Sequence, residues 1–326
     1  MQKRRIGPFE VSVIGLGCMS LSHAYGPPPP REQAERVLNG ALDAGYTFLD
    51  TAAVYGLGHN ERLIGEVLRQ RRGDYVLASK CGMSRGEERE LNGSPERLKQ
   101  TCDESLARLG VEAIDLYYLH RWDKRVPIED SVGALGDLVR AGKIKSIGLS
   151  EVSAATLRRA HAVHPIAALQ TEYSPWTRNP EIAVLQACRE LGVTFVAFSP
   201  VGRGFLAGGV RSIADLTPGD FRLGMPRFQG EAFAANLKLF NRFAGLAKAA
   251  DCTPAQLCLA WLLQKDANIV PIPGTTRPEH MLENARAAEI TLAPTLVAQL
   301  EELVNAATVT GSRYAPAMQA TVDTEG

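Results

Sequence analysis

The chain has 326 residues, 36 of them Lys or Arg and 36 Asp or Glu, so its formal net charge is zero. Nothing in that balance favours a nucleic-acid or anionic-membrane partner. With 45% apolar and 22% charged residues, and 30 Gly plus 19 Pro spread along the chain, disorder, collagen and coiled coil are excluded. A folded chain of this length buries roughly three quarters of its extended surface.

Lys3, Arg4 and Arg5 precede an apolar stretch in the manner of a signal peptide, but Pro8 and Glu10 interrupt it, and the run from Val13 to Leu16 is too short for an h-region. A cytoplasmic location is expected. No window approaches 18 consecutive apolar residues, so no membrane partner is expected. Six Cys at 18, 81, 102, 188, 252 and 258 form no Cys-x-x-Cys pair and have no His at zinc spacing. They read as free thiols in a reducing compartment, with no metal site.

In chain order, RRIGPFEVSVIGLG predicts a hairpin centred on Gly7-Pro8. Eight short apolar runs follow, ending near Gly17, Asp50, Lys80, His120, Leu149, Gln170, Ser199 and Pro273, and amphipathic stretches separate them. Ser94-Pro95-Glu96 predicts a capped helix start, with Leu98, Cys102, Leu106 and Leu109 on one face. A second helix opens at Ile128 and stops at Gly142, a third carries Phe233, Leu237, Phe240, Ala244 and Ala247, and a capping box at Thr253 to Gln256 opens a fourth. Runs such as YVLAS, DLYYLH and VTFVAFS are nearly continuous hydrophobe, as parallel strands buried on both faces require. Strand-helix alternation eight times over predicts a single-domain α/β fold over 1–326, a closed (β/α)8 TIM barrel with the hairpin as an N-terminal cap; an open doubly wound sheet is second. From Ser199 to about Gly230 the sequence is Gly- and Pro-rich, which predicts a long functional loop after strand 7. The tail after Asn305 has no periodicity and is expected to be partly mobile.

Active residues in such a barrel stand at the carboxyl ends of strands. Asp50, Lys80 and His120 end three successive runs, and Tyr55 lies five residues beyond Asp50. Each has an ordinary structural role open to it: a turn or cap acid, a snorkelling amine, a satisfied core imidazole, an apolar plug. Their convergence on one rim suits a proton-transfer device. A phenol with an ordinary pKa of about 10 is poorly matched as an acid near neutrality until a cation lowers that value. Lys80 is the candidate cation, Asp50 can keep it charged through a salt bridge, and His120 can orient a carbonyl or share the proton.

Together, GYTFLDTAAVYG with NERLIGEVL, VLASKCG, DLYYLHRWD, IGLSEVS, LQTEYSPW, VAFSPVGRGFL and VPIPGTTRPEHMLENA resemble the aldo-keto reductase superfamily from about Arg5 to Leu292. The resemblance implies carbonyl reduction with NADPH, less often NADH, and no metal. It makes Asp50, Tyr55, Lys80 and His120 the catalytic tetrad, with Tyr55 as proton donor. By the same resemblance Ser150 and Gln170 hydrogen-bond the nicotinamide carboxamide, Phe198 stacks on the nicotinamide ring, and Glu151 stands where many relatives have Asn.

GRGFLA at 202–207 also matches a dinucleotide-binding fingerprint, but no periodic helix follows it, so that reading is rejected. The family's loop instead makes Ser199, Pro200, Gly202, Arg203 and Gly204 a backbone clamp over the pyrophosphate. Gly274, Thr275, Thr276 and Arg277 end the eighth run before Pro278 opens a helix, a place suited to phosphate. Arg277 would select the 2′-phosphate of NADPH. Gly274 and His280 stand where the family often has Lys and Arg, and Glu283 and Asn284 match adenine-contacting positions. Substrate-rim candidates are Tyr25, Arg121, Trp122 and Trp176, which suit an apolar, aromatic or anionic small-molecule carbonyl. Two rival readings remain at this stage: a Schiff-base lyase using Lys80, and a cofactor-binding redox-sensing auxiliary subunit of the kind the family includes.

Overall fold

The computed structural model describes residues 1–22, 24–85 and 89–325. Eight parallel strands follow one another in order around one sheet: β1 (Leu16–Gly17), β2 (Phe48–Asp50), β3 (Val76–Cys81), β4 (Ile114–Leu119), β5 (Ile144–Ser150), β6 (Ile166–Glu172), β7 (Thr194–Phe198) and β8 (Ile269–Pro271). Backbone bonds from Gly15 N to Pro271 O (2.9 Å) and from Gly17 N to Pro273 O (3.2 Å) join the first strand to the last and close the barrel. That seam depends on missing side chains. A Cβ on Gly17 would lie 2.7 Å from Ile272 O, and one on Gly274 would lie 2.8 Å from Gly17 O.

The barrel interior is filled by Phe48, Ala78, Leu116, Tyr118, Ala168, Val196, Val270 and Ile272. It is a packed core with no channel through it. Tyr118 fits because β5 offers Gly148 opposite it, where a Cβ would come within 2.3 Å of the ring. The predicted hairpin forms between Lys3–Ile6 and Phe9–Ser12, and its Ile6 and Val11 floor the interior. Thr194 Oγ1 donates to Arg5 O at 2.7 Å and ties the hairpin to β7.

Helices cover the outside of the barrel, and their starts follow the sequence signals. Ser94 accepts from Arg97 N at the head of Pro95–Leu109, and Thr253 and Gln256 form both halves of a capping box before Pro254–Lys265. The long connection after β7 holds only short 3-10 turns until helix Gly230–Ala249 begins. The tail after Asn305 packs on the body of the protein. Asn236 exchanges two hydrogen bonds with the backbone of Thr310, and Arg313, Tyr314 and Val322 are buried against the barrel. Polar anchors, which carry no periodicity, hold it there.

Candidate active site

Lys80, next to last in β3, points inward with its side chain fully buried. An ammonium has three N–H donors, and here each has an acceptor. Asp50 Oδ1 takes one in a short ion pair, Thr51 O takes the second at 2.7 Å, and Tyr55 Oη takes the third at 3.4 Å. Because the phenol oxygen accepts from Lys80, its own proton is directed away from the ammonium. Gln170 Nε2 donates to Asp50 Oδ2 at 2.7 Å, so the carboxylate is bound at both oxygens. His120, one residue beyond β4, meets the Tyr55 ring edge to face at 5.9 Å between centroids. The four residues expected to form a proton device are therefore brought together.

Tyr55 reaches Lys80 because the loop after β2 turns back on itself. Gly56, Leu57 and Gly58 all have positive φ, at 56°, 55° and 81°, a conformation that favours glycine. Buried Asn60 then ties the loop down, accepting from Thr51 Oγ1 at 2.6 Å and donating to Cys18 O and Ser22 Oγ at 2.9 and 2.8 Å. Burial pushes the Tyr55 phenol up, Lys80 pulls it down, and the net direction is upward. Lys80 thus acts in the expected sense, but desolvation outweighs it. For Lys80 itself burial pulls the pKa down, while Asp50 and Tyr55 together raise it above its ordinary value, so it stays an ammonium.

The residues assigned to nicotinamide lie on the neighbouring strand ends. Ser150 closes β5, and its Oγ accepts from Arg121 Nη1 at 3.0 Å. Phe198 closes β7 and is half-buried. Ser199, Gly202, Arg203 and Gly204 have φ of 49°, 58°, 58° and 85°, left-handed backbone of the kind found in anion-binding turns. The Arg203 side chain faces into the protein, where it pairs with Glu172 and donates to Tyr314 and Tyr25 hydroxyls at 2.9 and 3.3 Å. Arg277 caps helix Pro278–Arg286 beside His280. Thr275 Oγ1 accepts from Arg277 N at 3.0 Å, and Thr276 O accepts from Gln33. Glu283 spends its carboxylate on Thr253 Oγ1 at 2.6 Å, while Asn284 is buried.

The rim candidates part company. Tyr25 sits under the Arg222 guanidinium at 4.9 Å, and Arg121 reaches across to Ser150. Trp122 donates to Val126 O at 2.8 Å and lies beneath Arg159, farther round the barrel. Trp176 is 3% exposed and stacks on Phe205 at 4.5 Å, so aromatic packing takes the face that was expected to line the rim. Glu151, which stands where many relatives have Asn, is buried with φ 58° and pairs with Arg313 of the tail. The sequence reading passed over Glu172, Arg313 and Tyr314. Glu172, an acid closing a strand buried along its whole length, was a signal the sequence offered.

The Aldo/keto reductase family profile matches residues 13–305. The chain is 45% identical over 321 residues to "Aldo-keto reductase yakc [NADP(+)]" of Schizosaccharomyces pombe, covering 96% of this chain and 94% of that protein. It is also 45% identical over 310 residues to "Probable aldo-keto reductase 1" of Glycine max, covering 94% and 89%. Among solved structures, the glycerol dehydrogenase AKR11B4 of Gluconobacter oxydans superposes with a TM-score of 0.85 at 25% identity, over 96% of this chain and 98% of that one. An aldo/keto reductase of Klebsiella pneumoniae in complex with NADP and acetate gives 0.73 at 26% identity, over 96% and 98%. Fold and site together define a (β/α)8 oxidoreductase. The chain belongs to the aldo/keto reductase family.

Proposed function

We propose that this enzyme reduces an aldehyde or ketone to the alcohol with NADPH, with Tyr55 as the general acid. The observation that carries the reading is the Lys80 ammonium, whose three N–H groups go to Asp50, Thr51 O and the Tyr55 oxygen. An amine held in this way is a poor imine former, which favours reduction over Schiff-base chemistry.

The residues fit the cofactor. Left-handed backbone at 199 and 202–204 suits a pyrophosphate. Arg277, at the N-terminus of a helix opened by proline, has no carboxylate within salt-bridge distance among the described residues, which suits a 2′-phosphate. Ser150, Gln170 and Phe198 would hold the nicotinamide, and the relative named for NADP(+) supports the preference. When bound, NADPH supplies the hydride for the carbonyl carbon.

Tyr55 gives its proton to the carbonyl oxygen, Lys80 stabilises the phenolate left behind, and Asp50 with Gln170 keeps Lys80 in place. His120 orients the carbonyl from the other side of the phenol. Tyr25 and Arg121 contribute to the wall that meets the substrate. The test is loss of NADPH absorbance against a carbonyl panel, repeated with NADH and with Tyr55→Phe. Turnover of that variant should fall by about 10²- to 10⁴-fold with cofactor binding intact. Retained wild-type turnover would refute the acid role.

A further inference from the structure

Three consecutive strand ends carry buried ionisable groups that the tetrad does not use: Glu151 after β5, Glu172 at the end of β6, and Arg203 in the loop after β7. The tail completes the set. Arg313 pairs with Glu151 and lies 3.5 Å from Glu172, and the Tyr314 hydroxyl accepts from Arg203. Glu151 Oε1 also accepts from the backbone N–H of Glu172 at 2.9 Å, which locks the two strand ends together. Arg203 lies over three rings, Phe198 at 5.8 Å, Phe221 at 5.4 Å and Tyr314 at 5.3 Å.

We propose that Arg313 is a positioning residue for the nicotinamide half of the cofactor site: through Glu151, Glu172 and Arg203 it holds in place the β5 to β7 strand ends and the ring of Phe198. The proposal rests on the reading of Ser150 and Phe198 as the nicotinamide wall. Glu151 directly follows Ser150, and Arg203 backs Phe198, so movement of either ion pair moves a residue assigned to the ring. Without Arg313, Glu151 would lose its ion-pair partner while Glu172 kept Arg203 and the field of Arg227, and a buried carboxylate left without a counter-charge shifts or takes up a proton. Farther along, Asp323 Oδ2 accepts from Ser153 N, Ser153 Oγ and Thr156 Oγ1, and Glu325 accepts from Ala154 N at 2.7 Å. The tail is thus anchored twice on the segment that follows Glu151. Tyr55, Lys80 and His120 stand on the loop after β2 and at the ends of β3 and β4, and Gln170 of β6 links these strand ends to the tetrad through Asp50.

The test measures NADPH dissociation constants by protein fluorescence, with steady-state kinetics, for wild type, Arg313→Met, Arg313→Lys and the double variant Glu151→Gln/Arg313→Met. Arg313→Met should weaken NADPH binding at least tenfold and raise its KM in parallel, with kcat at saturation and the carbonyl KM within about threefold. Arg313→Lys should fall between Arg313→Met and wild type. In the double variant a neutral amide still accepts from Glu172 N and needs no cation, so binding should return to within about threefold of wild type. If wild type binds NADPH and Arg313→Met binds it equally well, the positioning role is wrong and the cofactor reading stands. A wild type that does not bind NADPH overturns both. If Arg313→Met does not fold, the double variant decides, and weak binding there overturns the proposal.

Discussion

Replacing Lys80 with Met deletes the ammonium that donates to the phenol oxygen of Tyr55. At 3.4 Å and an effective dielectric constant of about 20, a unit charge stabilises a phenolate by about 5 kcal/mol. That corresponds to between three and four pH units on Tyr55. The ammonium does not act alone, because Asp50 opposes it. In the variant Asp50 has only Gln170 to satisfy it and takes up a proton, so both charges vanish together. Roughly half of the gross effect, about 2–3 kcal/mol, should therefore be lost, which lowers kcat by roughly 30- to 150-fold. The assay is a single-turnover measurement of NADPH absorbance at saturating cofactor. Breaking one side of a buried ion pair costs about 3–5 kcal/mol of stability, so a melting curve must show that the variant is folded at the assay temperature. Lys80→Met/Asp50→Asn, which strands no charge, should lose as much activity and less stability. Turnover within threefold of wild type in both variants would refute the electrostatic argument.

Arg277→Ala should weaken NADPH binding by about 10- to 100-fold, the worth of one or two charge-assisted hydrogen bonds, and leave NADH binding unchanged; equal losses for the two cofactors would remove the 2′-phosphate from the explanation. Gly148→Ala places a Cβ 2.3 Å from the Tyr118 ring and should cost about 1–3 kcal/mol by overpacking, read as a lower urea midpoint, and an unchanged midpoint would count against the close-packed interior. Burial pushes Glu172 up, but Arg203 and Arg313 outweigh it and hold its pKa below the ordinary value. A carboxylate lowered on folding contributes stability that is fully present above its unfolded pKa of about 4.3 and is lost as the pH falls through the folded value. Arg313→Met should therefore be destabilised near neutrality and differ less from wild type below about pH 4, as followed by urea titrations; a constant difference would show that Glu172 titrates independently of Arg313.

Strand ends and helix starts were legible because local chemistry specifies them. Short apolar runs bounded by turn residues suit strands buried on both faces, and Ser94 and Thr253 cap helices with their own side chains. Asp50, Lys80 and His120 could be picked out because a barrel sends successive strand ends to one rim, and counting runs was enough to place them together. Trp176 could not be placed this way, since a loop aromatic at a rim and one stacked on Phe205 look alike until the loop after β7 has folded over it.

The chain's order of runs, caps and turns determined the barrel, and with it which side chains share the mouth. Tertiary structure alone decided that burial outweighs Lys80 at Tyr55, that Glu151 finds its counter-charge in a tail about 160 residues away, and that Glu172 takes Arg203 of the loop after β7 with Arg313 of the tail beside it. Periodicity reports what a residue's near neighbours require. The partner of a buried charge is set by which distant segment comes to lie against it, and no local pattern records that.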